Sequence, residues 1–269
     1  MKYFVISDIH SFASEMKWAL RQAGFNKKNK NHTLIVCGDI FDRGDETLEV
    51  YKYLRSIPKK RCILIKGNHE SLYFDLLKRG YPMYHDSTNG TVNTFCWIAQ
   101  QSFVTDDDWD EIKTKVKNHE ITKWLKSSQW VDYFELDKYI FVHSFIPVTW
   151  EWRKNASIAD WEHARWGNPA AQYLAGLFDI EKEQGKTLVV GHWHTWYFHE
   201  VLGGDKESEN RDIYYSNHLI ALDGGVQRLW YGDYSAHPNV LVIDDSDFNT
   251  CYDQYGSKLT NMEVLSSDR

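Results

Sequence analysis

Residues 34–44 read LIVCGDIFDRG, a short apolar run that passes directly into an acidic turn flanked by glycines. The run at 34–37 is rich in β-branched residues and uninterrupted, which is typical of a strand covered on both faces. Two similar runs, at 3–6 and 62–65, also pass directly into polar motifs. Because helical patterns separate the three runs, the first eighty residues predict βαβ units and a largely parallel sheet.

Helices are predicted between and after these strands. Apolar residues recur at helical spacing in 16–23 and 48–54. A third helix is expected to follow Glu70 and to end at Gly80, because glycine suits the left-handed conformation of a helix carboxyl end. Later apolar runs predict that the sheet resumes at 139–142, 187–190, 219–222 and 240–243.

The segment 81–135 interrupts this pattern and is predicted to be a helical cap inserted into the core domain. Its acidic residues at 106–108 favour the amino terminus of one amphipathic helix. The apolar face of that helix is marked by Trp109, Ile112, Val116 and Trp124. Since an α/β chain of this length need not divide, we expect a single domain over 1–269 that carries this insertion.

Composition excludes several classes of function. The formal charge is 31 minus 38, or -7, which argues against bulk binding of nucleic acid or of an anionic membrane. The apolar run at the amino terminus is too short for a signal peptide, and no segment is long enough to span a membrane. The four cysteines are scattered, which is typical of reduced thiols and predicts a cytoplasmic location.

Five polar motifs each follow a predicted strand. They are DIH at 8–10, GDIFDRG at 38–44, GNHE at 67–70, VH at 142–143 and GHWH at 191–194. Ligands of open α/β sheets bind at the carboxyl ends of strands, so the five motifs are expected to converge on one crevice. Carboxylate and amide oxygens mixed with imidazoles suit Mn²⁺, Fe or Zn²⁺. Asp39, after the central strand, is the candidate to bridge two cations, and Glu70 is expected to accept hydrogen bonds from its neighbours.

Taken singly, these residues also have ordinary structural explanations. Asp8 and His10 fit a surface or capping pair, and Asp39 and Asp42 fit turn residues before a helix. His143 alone fits a hydrogen-bonded histidine of the core. Those explanations do not account for a GNHE motif placed after yet another strand. The order of the motifs therefore favours a metal site.

Together the motifs resemble those of the calcineurin-like metallophosphoesterases. The GDxxDRG and GNHE strings resemble in particular the phosphoprotein phosphatase branch, which includes phage-type Ser/Thr phosphatases and bacterial diadenosine tetraphosphatases. The GHWH string resembles the ending of the wider superfamily, and LDGG at 222–225 resembles a late turn of the family. The resemblance implies an α/β, layered metallophosphoesterase fold with central β-sheets flanked by helices, and it does not cover the inserted cap.

The resemblance also implies roles for individual residues. One cation would be held by Asp8, His10 and Asp39, and the other by Asp39, Asn68, His143 and His192. His69 would protonate the leaving oxygen, oriented by Asp42, and Arg43 would clamp the phosphate. Arg165, in the segment WEHARW at 161–166, is nominated as a second clamp, with a structural ion pair as the alternative.

His194 is added to the predicted metal ligands. Alternate residues of an extended segment point to the same side, so His192 and His194 are both expected to face the crevice. In the wider superfamily, the second histidine of this motif completes the cation held by Asp8 and His10. The sequence shows no other evident partner for His194, and the alternative is that it binds substrate or packs against Trp196.

The expected activity is hydrolysis of phosphomonoesters, with phosphoserine and phosphothreonine as the leading substrates. A metal-bound hydroxide would attack phosphorus directly, with two divalent cations, Mn²⁺ first and Fe or Zn²⁺ as alternatives. Symmetric cleavage of a dinucleoside polyphosphate is the alternative activity, since aromatic residues of the cap would stack on a base. A weakly active, metal-binding regulatory protein is a third hypothesis, against which the pairing of His69 and Asp42 argues. The expected partner is a phosphorylated substrate, with neither membrane nor bulk nucleic acid.

Overall fold

A computed structural model gives the fold over residues 1–103, 105–127, 129–205 and 209–259. The strands are β1 (Lys2–Ile6), β2 (His32–Cys37), β3 (Cys62–Ile65), β4 (Trp130–Val131), β5 (Phe134–Glu135), β6 (Tyr139–Phe141), β7 (Thr187–Val190), β8 (Tyr214–Tyr215), β9 (Leu219–Ala221), β10 (Leu241–Asp244) and β11 (Cys251–Tyr252). The helices are α1 (Ala13–Gln22), α2 (Thr47–Arg55), α3 (Asn68–Arg79), α4 (Tyr84–Thr88), α5 (Thr91–Ala99), α6 (Asp106–Asn118), α7 (Glu120–Leu125), α8 (Trp152–Asn155), α9 (Ile158–Arg165), α10 (Pro169–Leu174) and α11 (Thr195–Val201). Single 3₁₀ turns occupy Lys59–Arg61 and Val226–Tyr231.

The first sheet contains the strands that the opening motifs predict. Its order is β11-β10-β1-β2-β3-β4, and the pairs from β1 to β4 are parallel. In its register Val5 lies opposite Ile35, and Ile35 lies opposite Ile63. The helix α3 ends at Gly80, whose φ of 85° is left-handed, as the sequence predicts. The βαβ prediction for the first eighty residues is confirmed.

The later strands form a second sheet, with the order β5-β6-β7-β9-β8. Its central pairs are parallel, and both edge strands are antiparallel. The prediction that the later runs resume the first sheet was therefore wrong for all of them except β10, which pairs with β1. An apolar run shows that a strand is buried on both faces, but it does not show which strand lies beside it.

Alternate residues of the central strands place the two sheets face to face between helices. Phe4 and Ile6 belong to a core cluster shared with the surrounding helices, whereas Val5, between them, packs in a cluster that includes Phe141 of the second sheet. Ile140, which precedes Phe141 in β6, faces the helices on the far side of the second sheet. The layered fold, with central β-sheets flanked by helices, is thereby confirmed.

Helices α4 to α7 lie within the segment predicted as a cap, and α5 to α7 share the core cluster of the first sheet. The amphipathic helix predicted from 106 is α6, but it ends at Asn118, because His119 adopts an extended conformation and its ring nitrogen Nδ1 accepts a hydrogen bond from Ile121 N. Trp124 therefore lies on a separate helix. The one-domain assignment stays a prediction, and its residues 104, 128, 206–208 and 260–269 lie outside the described ones. No helix in the described ranges has the length and apolar character of a membrane span.

We expect Ile35→Ala to lower the free energy of unfolding by about 2 to 5 kcal/mol, because Ile35 is fully buried between the two sheets and its loss leaves a cavity. Urea unfolding measures this change. Ile158→Ala is the matched control, since Ile158 is 83% exposed and its loss is expected to change stability by about 0.5 kcal/mol or less. Equal effects of the two substitutions would contradict the packing of one sheet on the other.

Candidate metal centre and active site

The ends of five strands bring six of the predicted side chains to one place. They are Asp8 and His10 after β1, Asp39 after β2, Asn68 after β3, His143 after β6 and His192 after β7. The Nε2 atom of His143 lies 2.8 Å from Asn68 Oδ1 and 3.4 Å from Asp39 Oδ1. The backbone N–H of His192 donates to Asp8 Oδ2 at 2.9 Å. Residues of both sheets therefore meet in this site.

Asp39 lies at the centre of the cluster. In one group, ligand atoms of His10, Asp39 and His69 lie within 4.8 Å of one another, and in a second group those of Asp39, His143 and His192 do so. The carboxylate of Asp39 belongs to both groups, which is the place expected for a bridging ligand. His69, rather than Asp8, completes the first group. The division of ligands between two cations stays a prediction.

Backbone carbonyl groups fix the protonation of two imidazoles. Because a carbonyl oxygen only accepts, Nδ1 of His10 donates to Phe41 O at 3.1 Å and Nδ1 of His143 donates to Cys37 O at 2.8 Å. Burial lowers the pKa of both rings, and burial together with His143 lowers the pKa of His192 to about 3. Neutral rings with a lone pair on Nε2 are the form of histidine that binds metal ions.

Buried carboxylates supply the negative charge of the site. Burial and the neighbouring Asp223 and Asp39 raise the pKa of Asp8 well above its usual value. The Oδ2 atom of Asp223 is buried and, among the described residues, accepts no hydrogen bond. Buried carboxylates are costly without a cation. The carboxylates, the neutral imidazoles and the Asn68 amide therefore form a donor set that fits divalent cations.

The sequence motifs did not assign a role to Asp223. It directly follows the apolar run that ends β9, the same position that Asp8 and Asp39 hold on their own strands. That position was the available signal, and the LDGG string was treated only as a turn. Its backbone carbonyl accepts from Thr195 N at 2.7 Å, and its Oδ1 accepts from Gly225 N at 2.8 Å. These bonds hold the carboxylate beside Asp8.

The backbone of the site is strained. Ten non-glycine residues in the described ranges have positive φ, and six of them are predicted site residues, namely Asp8, His10, Asp39, Asp42, Arg43 and His192. This conformation is uncommon for residues with a side chain and persists only where the surroundings enforce it. The strain therefore marks the site independently of the motifs.

Glu70 provides one of the enforcing contacts. Its Oε2 accepts hydrogen bonds from Gly67 N at 2.7 Å and Asp39 N at 3.0 Å, and its Oε1 accepts from Ile40 N at 3.1 Å. A Cβ on Gly67 would lie 2.1 Å from Asp39 Oδ1, so only glycine allows this approach of the two loops. The expectation that Glu70 accepts hydrogen bonds from its neighbours is confirmed.

His69, Asp42 and Arg43 lie together beside the metal-binding groups. Nδ1 of His69 donates to Asp42 Oδ2 at 2.7 Å, and Nε2 of His69 lies 3.5 Å from an Arg43 guanidinium nitrogen. Burial opposes the charged form of His69, but Asp39 and Asp42 outweigh it and raise its pKa. Among the described residues, no carboxylate lies within ion-pair distance of Arg43. Its guanidinium is available to an anion.

Arg165 has different surroundings. It is buried, with 4% of its surface exposed, and it forms ion pairs with Asp132 and with Glu162, the latter at 2.7 Å. These contacts match the structural alternative stated for Arg165. A role as a second phosphate clamp stays a prediction.

His194 has protein partners on both ring nitrogens. Nδ1 accepts from the indole N–H of Trp196 at 3.2 Å, and Nε2 lies 2.5 Å from the side-chain amide of Gln227. Nε2 also lies 3.8 Å from Asp223 Oδ2. The argument that His194 lacks a partner was therefore wrong. The sequence did not indicate Gln227 as a partner because it is distant along the chain. Neither metal-binding group of the described residues includes His194, and its assignment as a ligand stays a prediction.

Known proteins are similar to this chain in sequence and in fold. The family model described as calcineurin-like phosphoesterase matches residues 1–221. A symmetrical bis(5'-nucleosyl)-tetraphosphatase of Buchnera aphidicola is 32% identical over 115 residues, which are 40% of this chain and 41% of that protein. The chain thus spans about two fifths of the length of that relative. Shewanella-like protein phosphatase 1 of Plasmodium berghei is 25% identical over 273 residues, 91% of this chain and 72% of that protein.

Solved structures share the fold at low identity. A cold-active protein-tyrosine phosphatase of a psychrophilic Shewanella superposes with a TM-score of 0.57 at 15% identity, covering 96% of this chain and 80% of that one. A putative diadenosine tetraphosphatase superposes with a TM-score of 0.52 at 16% identity, covering 96% and 91%. These likenesses show a common fold.

We expect Asp8→Asn to stabilise the metal-free protein at pH 8 more than at pH 5. Because the folded protein raises the pKa of Asp8, metal-free stability falls as the pH rises above the value of about 3.9 of an unfolded aspartate. Asparagine removes this cost. Each kcal/mol of stability that is gained raises the melting temperature by about 2 to 4 °C. Thermal unfolding in a chelator measures it.

Added Mn²⁺ is expected to raise the melting temperature of Asp8→Asn less than that of the natural protein, since bound ligand stabilises only the folded state. Glu181→Gln, at an exposed position, is the control and should change neither quantity. If the metal-free Asp8→Asn variant is less stable than the metal-free natural protein at pH 8, the charge of Asp8 does not destabilise the fold.

Proposed function

Since the chain belongs to the calcineurin-like phosphoesterase family, a family of metal-dependent hydrolases, we propose that it hydrolyses phosphomonoesters. Phosphoserine and phosphothreonine in proteins are the leading substrates. The observation that carries the proposal is the cluster around Asp39, with the His69–Asp42 pair beside it and with Arg43, which forms no ion pair among the described residues. The likeness to the Plasmodium protein phosphatase, which extends over 91% of this chain, supports the phosphoprotein class.

Two divalent cations are part of the proposal. One would be held by Asp8, His10, Asp39 and His194, and the other by Asp39, Asn68, His143 and His192. Mn²⁺ is the first choice, with Fe and Zn²⁺ as alternatives, because carboxylate, amide and imidazole donors are mixed in the site. When bound, the cations activate a water molecule for direct attack on phosphorus and neutralise phosphoryl oxygens.

The chain's own residues perform the remaining steps. His69 would give a proton to the departing oxygen, and Asp42 would keep the other ring proton on Nδ1 so that Nε2 faces the substrate. Arg43 would hold the phosphate through the fork of its guanidinium. Arg165 would act as a second clamp where its carboxylate partners release it.

The alternative proposal is symmetric cleavage of a dinucleoside polyphosphate. The likeness to the symmetrical bis(5'-nucleosyl)-tetraphosphatase of Buchnera supports it. Trp166 also favours it, because its ring is 49% exposed and its centroid lies 6.2 Å from that of His192 at the edge of the site. An exposed indole beside the metal ligands is a platform on which a base would stack.

A cytoplasmic location completes the proposal. All four cysteines are free, and burial raises the pKa of the Cys62 thiol to about 12. Unpaired, buried thiols support a reducing compartment. The net charge of -7 supports a phosphorylated protein or small phosphate ester as partner rather than bulk nucleic acid.

Hydrolysis assays with added Mn²⁺ test the proposed function. Purified protein is offered p-nitrophenyl phosphate, diadenosine tetraphosphate and one peptide carrying phosphoserine or phosphotyrosine. We expect metal-dependent hydrolysis of the phosphoserine peptide, and we expect Asp39→Asn to lose activity and bound metal together, the latter by elemental analysis. A strong preference for the dinucleotide would establish the alternative, and a preference for phosphotyrosine would overturn the substrate class. Activity on none would favour the metal-binding regulatory hypothesis.

Arg43→Ala is expected to weaken inhibition by inorganic phosphate about 10- to 100-fold, because a hydrogen bond to a charged group contributes about 1.5 to 3 kcal/mol. Arg165→Ala should weaken it less, since two carboxylates already bind that guanidinium. Inhibition constants from steady-state kinetics decide both. Unchanged inhibition in Arg43→Ala would remove Arg43 from the site, and unchanged inhibition in Arg165→Ala would leave Arg165 structural.

A further inference from the structure

Two threonines of α5 hold the carboxylate of Asp42. Thr91 Oγ1 lies 2.8 Å from Asp42 Oδ2, and Thr94 Oγ1 lies 2.6 Å from Asp42 Oδ1. The backbone N–H of Asp42 donates to Thr94 Oγ1 at 3.0 Å. All three residues are buried, with at most 1% of their surface exposed. The two carboxylate oxygens thus have different partners on the helix.

The hydrogen atoms of these bonds can be assigned. Since Thr94 Oγ1 accepts from the Asp42 amide, its own proton is available to Asp42 Oδ1. Both hydroxyl groups donate to the carboxylate, that of Thr91 to Oδ2 and that of Thr94 to Oδ1. His69 Nδ1 lies 2.7 Å from Oδ2, the oxygen that Thr91 also contacts. The helix therefore holds the carboxylate oxygen that His69 Nδ1 faces.

The start of α5 also packs on the turn that carries Asp42. A Cβ on Gly90 would lie 2.4 Å from Arg43 N, so the backbones of the two segments are in direct contact. Asp42 and Arg43 have φ values of 72° and 69° in this turn. The helix belongs to the segment 81–135, for which the sequence motifs implied no catalytic role. The contact gives this segment a connection to the reacting group.

We propose that Thr91 and Thr94 are positioning residues, which hold Asp42 so that His69 presents Nε2 to the leaving oxygen. The proposal deepens the proposed function and rests on it. A positioning role differs from simple stabilisation of the helix. Loss of a positioning residue slows the hydrolysis of esters whose leaving oxygen needs a proton. Loss of a purely structural residue lowers the rate for all substrates and lowers the free energy of unfolding.

The test compares five variants on the full chain with Mn²⁺. Thr91→Val and Thr94→Val remove a hydroxyl at nearly constant volume, and Thr94→Ser keeps it. Thr122→Val is the matched control, because Thr122 is as buried but bonds Tyr73 and the Val116 carbonyl. His69→Asn sets the scale for complete loss of the proton donor.

We expect Thr91→Val and Thr94→Val to lower kcat for the phosphoserine peptide about 10-fold or more, a part of the 10² to 10⁴ that general-acid catalysis contributes. Hydrolysis of p-nitrophenyl phosphate, whose phenolate departs without a proton, should fall much less. Metal content should stay that of the natural protein, and Thr94→Ser and Thr122→Val should keep the natural ratio of the two rates. Equal losses on both substrates in Thr91→Val would overturn the proposal.

A second measurement separates this inference from the proposed function. The imidazole N–H signal of His69 is assigned in the NMR spectrum by its absence in His69→Asn. Thr91→Val should shift or broaden that signal, and Thr122→Val should leave it unchanged. If the natural protein cleaves neither ester, the proposed function is wrong. If the His69 signal is unchanged in Thr91→Val, the positioning role is wrong, whatever the activity.

Discussion

The carboxylate of Glu70 binds three backbone amides from the two loops that carry Asp39 and Asn68. Those loops leave β2 and β3 with Asp39 in a left-handed conformation, at φ 53°, which an isolated turn would not keep. The carboxylate satisfies the amide of Gly67 at the start of α3 and those of Asp39 and Ile40 after β2, which would otherwise be buried without these partners. The Oδ1 atom of Asp39 in turn accepts a hydrogen bond from the backbone N–H of His69, at 3.0 Å. The positions of Asp39, Asn68 and His69 thus depend on one another through a single acidic side chain.

The same site concentrates groups that repel one another. Asp8, Asp39 and Asp223 are all almost fully buried. Burial and the two neighbouring carboxylates raise the pKa of Asp8. The favourable free energy that offsets this repulsion comes from apolar burial in the layers around the site. Strand residues such as Val5 and Ile35 are fully buried there. A rigid scaffold is needed because strain and desolvation of charge persist only where packing prevents relaxation. The two packed sheets therefore support the site by holding the strand ends that carry its residues.

Sequence patterns predicted what depends on short range. Strands buried on both faces leave continuous apolar runs, and their polar ends named Asp8, Asp39 and His143 as residues that the fold brings together. What escaped prediction depends on distant partners. The second sheet, the Gln227 contact of His194 and the Asp132 contact of Arg165 join residues that are distant in sequence, which no local pattern encodes. Asp223 is intermediate, because its position after a strand was visible while its closeness to Asp8 was not.

Helix α5 shows why a motif resemblance does not describe the whole active site. GDIFDRG fixes Asp42 in sequence, yet the orientation of its carboxylate is determined by hydroxyl groups about fifty residues later, with separations of 49 and 52 positions. Helix α5 is itself held by packing against α6 and α3. Any change in that packing would move the threonines before it moved the strands. The proton-donating part of the site thus depends on helix α5 as well as on the strand ends that position the metal-binding groups.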